Sequence, residues 1–396
     1  MQTKIKPIIC ATLALLMVFT LVGCGKTQES QPEQKVETPK EDSWLEKAAL
    51  NQEDDIDRLY EEAKKEGKVV IYSMSSRITD VKQTFEEQYP GVTVEAYDMR
   101  MAEIFEKVER EHNAGINNAD VIFIKDSDGI PYNEMVKSGM LHNYVPKDIG
   151  SKMKPEFKEP MFSTFFEMKQ VFYNDEVYKT SPIDSWWDLT RPEYKGKIMI
   201  QNPLSTPENQ GLFLAMIQNA DEMAKAYKEE FGEDIVLNGT ENAGYEFIKR
   251  LMENDLIYTD SDGEIAEAIG AEGQTDPPFG IVVSSKIRDR FKKGFKIAAV
   301  QDIKPRDGVM APAMLLIVDQ APHVNAAKLL IRWMAGEADG KGAGFKPFLV
   351  PGSWPTRSDI EPVDTPPIDS LNLWDFDLDF NYENINKLRD FLLTLQ

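Results

Sequence analysis

Short apolar runs alternate with helix-patterned segments between residues 44 and 124, and this alternation constrains the fold more than any other feature of the chain. Apolar residues recur at helical spacing from Leu45 to Ala63, and Gly67 ends that segment. The predicted elements that follow are a strand at 69–72, a helix at 81–89, a strand at 92–97, a helix at 104–112 and a strand at 121–124. Strands separated by helices pair in parallel through right-handed crossovers. The sequence therefore predicts a parallel α/β sheet here.

A second series of strands and helices follows residue 170. Strands are predicted at 171–173, 197–200, 279–283 and 311–318, and helices at 212–218 and 326–334. We find no internal repeat and no low-complexity run after residue 43. At roughly 150 residues per domain, this length and order favour two α/β lobes.

The composition excludes several classes of protein and partner. Of the 396 residues, 42% are apolar and 28% are charged, which excludes disorder throughout, a polytopic membrane protein and a small disulfide scaffold. The 67 acidic and 45 basic residues give a formal net charge of −22. A surface this acidic repels phosphate backbones, and no basic stripe with interleaved aromatic residues offsets that field. We therefore expect no nucleic-acid partner.

Residues 1–23 have the pattern of a secretory signal peptide. Two lysines precede an apolar run from Ile8 to Val22, which is shorter than the roughly 20 apolar residues that a transmembrane helix needs. An uncleaved single-span anchor is the alternative. The run ends at Leu21-Val22-Gly23-Cys24, which resembles a bacterial lipobox. This resemblance implies that Cys24 receives a diacylglyceryl thioether and becomes the mature N-terminus.

Residues 24–43 are predicted to form a disordered tether behind that lipid. They are polar and punctuated by proline, with Val36 as the single large apolar residue, so they bury too little surface to fold. The two cysteines of the chain, Cys10 and Cys24, both precede the predicted folded part. That part must then rest on its core alone in an oxidising compartment. We expect an extracytoplasmic protein that is anchored to the bilayer through Cys24.

Several stretches resemble the extracytoplasmic solute-binding proteins of ABC importers, in the branch that contains the ferric-ion, thiamine and phosphonate binders. The segment 59–73, LYEEAKKEGKVVIYS, is similar to the opening helix and first strand of that branch. The most diagnostic piece is Trp187-Asp188-Leu189 followed by Pro192-Glu193-Tyr194-Lys195-Gly196-Lys197-Ile198. Further similar stretches lie at 119–123, 139–141, 171–174, 326–330 with Pro322 before it, and 355–357.

The resemblance implies an α/β fold of the type II periplasmic binding protein class, with two lobes and a ligand cleft between them. Both lobes would be discontinuous, with lobe 1 at 44–170 plus 308–345 and lobe 2 at 171–307 plus 346–396. The ligand would be enclosed by hinge closure. The predicted elements agree, because ligands of open α/β sheets bind beyond the carboxyl ends of the strands.

Four loops that follow predicted strands supply the candidate ligand contacts. The candidates carry hydroxyl or basic groups, and they are Ser75, Ser76, Arg77, Lys125, Ser205, Thr206, Ser284 and Ser285. Hydroxyls and free backbone N–H groups at helix starts favour a negative or strongly polar ligand.

Ser75 and Ser76 have the strongest claim, because the resemblance implies a serine-rich turn after the first strand as the usual contact, but the other candidates have a structural alternative. Ser205 is also a helix cap, with Pro207 in the first turn and Glu208 reaching back to complete a capping box. The two serines at 284 and 285 are possible caps as well, and Arg77 and Lys125 are possible surface charges. The neighbouring acidic residues at 126 and 128 are expected in a solvated turn.

The sequence departs from the ferric-binding pattern where that pattern holds the metal. The resemblance places a tyrosine pair at Ser284-Ser285, an acidic ligand at Lys125 and a histidine near Ser76. A trivalent cation needs anionic oxygen ligands, which hydroxyls and a lysine do not supply. We therefore predict an oxyanion ligand, namely a phosphonate, a phosphorylated metabolite or a carboxylate.

A thiamine-like cationic aromatic ligand is the alternative to an oxyanion. The stretch 201–211 also resembles the thiamine binders, and Trp186, Trp187 or Trp354 would stack on a ring. A metal-ion binder of the same family is a further alternative.

No catalytic centre is predicted. The three histidines lie far apart in the sequence, and the motifs HExxH, GxSxG and GxxxxGK[ST] are absent from it. Together with this absence, the resemblance implies capture without chemistry, by a monomeric lipoprotein that needs no cofactor and delivers a small solute to an ABC permease. A ligand-sensing receptor lipoprotein and a lipid-anchored hydrolase are the alternatives of other classes.

Overall fold

The computed structural model describes residues 43–395. Contacts along the chain define two units, Met1–Ser43 and Trp44–Gln396, and the fold below is that of the second. The predicted signal peptide, the lipidated Cys24 and the predicted tether up to residue 42 lie outside the described residues. Among the residues from 43 to 395, no helix has the length and apolar character needed to cross a bilayer.

Strands and helices alternate along most of the described chain. The strands are β1 (Lys68–Ser73), β2 (Thr93–Asp98), β3 (Val121–Lys125), β4 (Leu141–Asn143), β5 (Ser163–Asn174), β6 (Ile198–Gln201), β7 (Ile257–Thr259), β8 (Phe279–Val283), β9 (Ile297–Ala299), β10 (Gly308–Val318), β11 (Trp354–Pro355) and β12 (Leu373–Trp374). The α-helices are α1 (Trp44–Ala48), α2 (Ile56–Glu66), α3 (Ile78–Gln88), α4 (Met101–Asn113), α5 (Lys147–Gly150), α6 (Pro207–Gln218), α7 (Ala220–Phe231), α8 (Ala243–Met252), α9 (Asp262–Gly270), α10 (Arg288–Lys293), α11 (Val324–Met334) and α12 (Leu378–Thr394).

The parallel sheet predicted for the first part of the chain is confirmed. Strand β1 pairs in parallel with β2 on one side and β3 on the other, and β10 then pairs antiparallel with β3. Val69 and Ile71 pack into one hydrophobic cluster, whereas Val70 and Tyr72 pack into a second cluster on the other face. Successive side chains of a strand alternate between its faces, so a strand covered on both sides is apolar throughout. These elements form the first lobe.

The second lobe is built around β8, β6 and β7, which pair in parallel in that order. Its main core contains the largest buried side chains of this part, including Trp186, Trp187, Phe213 and Phe247. A smaller cluster around Phe172 covers the opposite face of the sheet.

Two long strands, β5 and β10, connect the lobes. Residues 163–168 of β5 pair with β10 in the first lobe, and residues 169–172 pair with β8 in the second. The sequence predicted only 171–173 as strand, because Glu167, Lys169 and Gln170 interrupt the apolar run. All three side chains are buried in the structure, so β5 is longer than its hydrophobicity indicates. Any opening between the lobes must therefore bend these paired strands.

One further segment differs from the sequence predictions. The helical pattern from Leu45 to Ala63 is broken into α1 and α2, because Ala49 has a left-handed backbone with φ of 47° and Asp55 caps a new helix by accepting from the Arg58 N–H at 2.9 Å.

The resemblance places the segment 346–360 in lobe 2. Phe348, Trp354 and Ile360 belong to the same hydrophobic cluster as Val69. We therefore propose that the boundary predicted at residue 346 lies after residue 360.

Candidate functional site

A cavity of about 180 Å³ opens beyond the carboxyl ends of β1 and β3, where the two lobes meet. The first lobe lines it with Ser75 and Arg77 from the loop after β1 and with Lys125 at the end of β3. Glu167 of the connecting strand β5 and Glu208 from the first turn of α6 complete its polar lining. The predicted position of the site, at strand ends between two lobes, thus coincides with a cavity.

Lys125 is buried at the centre of this polar group. Its Nζ atom lies 2.8 Å from the Glu167 carboxylate and 3.6 Å from that of Glu208, so it links the first lobe to β5 and to the second lobe. Burial opposes its charge, but the two carboxylates outweigh burial and raise the pKa of Lys125. Lys125 is therefore neither a surface charge nor free to neutralise an anion by itself.

Glu167 balances the positive charges on the cavity floor. Burial disfavours its ionised form, yet the charges of Lys125 and Arg77 prevail and lower the pKa of Glu167 to about 2. A hydrogen bond from the Ser285 hydroxyl acts in the same direction. Glu167 is consequently an anion across the whole physiological pH range.

This depressed pKa predicts a loss of stability in acid. Because the folded state holds Glu167 ionised more strongly than the unfolded state does, its contribution is full above pH 4.5 and is lost as the pH falls towards about 2. We expect the urea midpoint of the wild-type protein to fall more steeply over this window than that of Glu167→Gln. Glu109→Gln, which removes an exposed carboxylate, serves as the control and should follow the wild type. Parallel profiles for Glu167→Gln and the wild type would contradict the assignment.

Two guanidinium groups lie near each other here, that of Arg77 in the cavity lining and that of Arg288 on the second lobe. Arg77 lies 4.0 Å from Glu167 and over the ring of Phe348, and its other nitrogens have no carboxylate at ion-pair distance within residues 43–395. Arg288, at the start of α10, donates to the carbonyl and hydroxyl oxygens of Ser285 at 2.6 and 2.9 Å. Burial and the positive charge of Arg77 lower the pKa of Arg288. Like charges held this close favour an anion between them.

A third basic group strengthens this positive region. Burial and the charge of Arg288 lower the pKa of Lys286, and in the described part of the chain no carboxylate lies within ion-pair distance of it. Lys169, in contrast, is paired with Asp262 at 2.9 Å. Of the basic groups around this cavity, Arg288 and Lys286 therefore have no carboxylate at ion-pair distance within residues 43–395, and both lie on the second lobe.

The predicted serines and the threonine have different environments. Ser75 lines the cavity and accepts from the Arg77 N–H at 3.4 Å, whereas Ser76 is exposed outside it. The Ser284 hydroxyl donates to the Gly352 carbonyl at 2.5 Å and accepts from the Met168 N–H at 3.2 Å, so its hydrogen bonds are made within the fold. Ser285 is buried between Arg288 and Glu167. The ligand roles of these residues stay predictions.

The capping box predicted at Ser205 is absent. The helix α6 begins after Thr206, with Pro207 in its first position and no side-chain cap. The hydroxyls of Ser205 and Thr206 both donate to the Asn202 carbonyl, at 3.2 and 2.9 Å. Glu208 is therefore free of the cap and is directed to Lys125 instead.

The solvated turn predicted for Asp126 and Asp128 is also wrong. Both side chains are buried. Asp126 accepts from the N–H groups of Gly129 and Tyr132 at 2.7 and 2.8 Å, and Asp128 pairs with Arg389 of α12 at 3.1 Å. The turn is thus a packed connection between the first lobe and the C-terminal helix.

The tryptophans proposed for ring stacking lie inside the cores. Trp186 and Trp187 have no exposed surface, and their Nε1 groups donate to backbone carbonyls. Trp354 is buried and stacks on Phe166 with ring centroids 5.2 Å apart. None of the three presents the free ring face that the thiamine-like alternative requires.

One group of carboxylates within residues 43–395 has a spacing suited to a metal ion, and it lies apart from the cavity lining. It consists of Asp184, Asp188 and Glu230. Arg191 already forms ion pairs with both Asp188 and Glu230, which supplies the positive charge that the group needs.

Two lobes with a cavity between them are typical of a protein that binds a small ligand, and the similarity of the chain to known proteins agrees with this class. The chain belongs to the bacterial extracellular solute-binding protein family, whose model matches residues 80–369. No curated protein sequence matches the chain significantly.

Solved structures of binding proteins share the fold. Apo ferric ion-binding protein A from Pasteurella haemolytica is 16% identical, with a TM-score of 0.63 over 83% of this chain and 98% of its own. Iron-bound HitA from Pseudomonas aeruginosa is 14% identical, with a TM-score of 0.65 over 83% and 99%. AfuA from Actinobacillus pleuropneumoniae, with exogenous fructose-6-phosphate bound, is 20% identical, with a TM-score of 0.62 over 82% and 97%.

Family membership and fold together establish the general role. The protein has the two-lobed type II periplasmic binding protein fold and is an extracellular solute-binding protein. The family implies a small-molecule ligand, a membrane permease as partner and a location outside the cytoplasm.

Proposed function

We propose that this protein captures a small oxyanion between its lobes and delivers it to an ABC permease. The observation that carries the proposal is the pair Arg77 and Arg288, which come from different lobes and lie close enough for one charge to lower the pKa of the other. An anion between them would relieve that repulsion and would contact both lobes at once. The closed form would then be stabilised by contacts that the open form lacks.

The charges around the cavity favour an anion over a metal ion. Its two carboxylates, Glu167 and Glu208, are both engaged by Lys125, so no pair of free anionic oxygens is left for a hard cation. The volume of about 180 Å³ suits a small ligand such as a phosphonate, a short phosphorylated metabolite or a carboxylate. AfuA, a neighbour of similar fold, has fructose-6-phosphate bound, which supports a phosphorylated ligand for this protein as well.

The remaining parts of the proposal concern attachment and assembly. We place the protein outside the cell membrane as a monomeric lipoprotein, held by the lipid on Cys24 and a tether that ends at residue 43. A flexible tether raises the effective concentration of the binding protein near its permease. No catalytic step is proposed.

Native mass spectrometry of protein purified without refolding tests the ligand class. We expect a bound anion that is released chemically unchanged. We also expect the same anion to raise the melting temperature of the protein by mass action. A panel of phosphate, methylphosphonate, fructose-6-phosphate and citrate would rank the oxyanions. A co-purified cation, or turnover of any panel member, would overturn the proposal.

Gly211 provides a test of lobe closure. A methyl group on Gly211 of α6 would lie 2.9 Å from the Ser127 carbonyl oxygen in the loop after β3, so the two lobes approach closely at a position where a side chain is missing. We expect Gly211→Ala to weaken anion binding about tenfold, because the close approach is blocked. We expect the ligand-free protein to open and relieve this contact, so its melting temperature should not fall, since alanine favours a helix interior.

Small-angle scattering with saturating anion completes this test. The wild type should contract and Gly211→Ala should contract less. Equal affinity and equal contraction would show that the contact between Gly211 and Ser127 has no part in closure.

A further inference from the structure

A second cavity of about 810 Å³ lies beside β10, the strand that connects the two lobes. Its volume falls within the roughly 300–1,000 Å³ of pockets that bind small organic molecules. The segment 371–379, which forms one wall, lies beyond residue 369, where the family match ends. The cavity is therefore built partly from residues outside the segment that the family model matches.

The floor of this second cavity is apolar and adaptable. Met310 and Met314 project from one face of β10, and Met161, Leu373 and Phe376 surround them. Methionine side chains are flexible and polarisable, so they adjust to apolar groups of varied shape. Such a floor suits the hydrocarbon or aromatic body of a ligand.

The rim of the cavity is strongly acidic. Six acidic residues and one lysine line it, a ratio far above the 67 to 45 of the whole chain. Asp369 pairs with the lysine, Lys154, at 3.3 Å, and Asp379 pairs with Lys137 at 2.9 Å. Those two carboxylates are therefore already balanced.

The other carboxylates have no cation of their own. Glu156 and Asp375 are exposed and make neither a hydrogen bond nor an ion pair with any residue between 43 and 395. The charge of Asp375 contributes to the raised pKa of Arg306, but Arg306 is already paired with Glu222 at 2.8 Å. Negative charge above an apolar floor thus lacks a partner within the described chain.

We propose that this cavity is a second binding site, distinct from the anion site, for an amphipathic organic cation. Its apolar body would rest on the methionines of β10, and its ammonium group would lie between Glu156 and Asp375. Such a ligand combines the two properties of the cavity, since burial of the body drives binding and the carboxylates select the charge.

Calorimetry with three matched probes tests the charge selection. The probes are 4-phenylbutylammonium, 4-phenylbutanol and 4-phenylbutyrate, which share one apolar body. On the intact protein we expect the ammonium to bind about tenfold more tightly than the alcohol and the carboxylate not to bind measurably. The double variant Glu156→Gln with Asp375→Asn should lose that preference. Glu109→Gln with Glu267→Gln removes two exposed carboxylates elsewhere and should retain it.

Methyl NMR of the methionines locates the bound probe. The phenyl ring should shift the signals of Met310 and Met314, which line this cavity. The signals of Met74 and Met101, which line the cavity of the anion site, should stay unchanged. The anion of the proposed function should do the reverse, so the two proposals fail separately.

Several outcomes would overturn the second site. Equal binding of the ammonium and the alcohol would refute the charge selection, and shifts confined to Met74 and Met101 would place the probe in the anion site. Binding of a lysine-rich peptide at Met310, without binding of 4-phenylbutylammonium, would assign the surface to a protein partner instead.

Discussion

Replacement of Arg77 and Arg288 by glutamine should remove measurable binding of the oxyanion that the wild-type protein retains. Hydrogen bonds to charged groups contribute about 1.5–3 kcal/mol each, so loss of both guanidiniums should weaken binding by about a hundredfold to ten-thousandfold. Each single variant should lose about tenfold to a hundredfold. Isothermal titration calorimetry with the anion identified by mass spectrometry measures the effect.

The control for this pair is Lys292→Gln, which removes an exposed positive charge from α10, the helix that begins with Arg288. It should keep the wild-type affinity, because long-range attraction is screened at physiological salt. Glutamine retains hydrogen-bond donors, so a full loss in the arginine variants would identify charge as the cause. Wild-type affinity in the double variant would refute the anion site.

Lys125→Met should destabilise the protein by about 3–5 kcal/mol, the cost of leaving a buried carboxylate without its partner. Glu167 would be the carboxylate affected most, since only 8% of its side chain is exposed and Lys125 lies 2.8 Å away. Urea unfolding of the ligand-free protein measures the change.

The double variant Lys125→Met with Glu167→Gln distinguishes this explanation from simple loss of packing. It should recover much of the stability, because no unpaired charge remains on β5. Lys225→Met removes an exposed lysine that lies 3.8 Å from Glu229 and should change stability by less than about 1 kcal/mol. Additive losses in the double variant would contradict the buried ion pair.

The sequence was sufficient to predict the layered α/β fold and the strand ends that carry the site. Buried parallel strands are apolar throughout, so Val69 to Tyr72 is a strong local signal. Strand β5 was predicted only in part, because Glu167 and Lys169 are buried through partners that are distant in the chain, Lys125 and Asp262. No local pattern reports such pairs.

The candidate site was predicted less completely than the fold. Arg77, Ser75 and Lys125 were chosen from loops and do line the cavity, but the engagement of Lys125 by two carboxylates depends on tertiary contacts. Arg288 was missed, although it is only three residues beyond Ser285. The hydroxyl pattern predicted the serines as ligand contacts, whereas the basic residues that follow them carry the charge.

The position of β10 in the sheet has a consequence for biosynthesis. β10 lies between β3 and β5, although it follows both by more than a hundred residues in the chain. A nascent chain that emerges N-terminus first therefore exposes the edge of β3 until residue 318 has been made. Fragments that end before β10 lack the strand that joins β3 to β5 and would be substrates for chaperones and proteases.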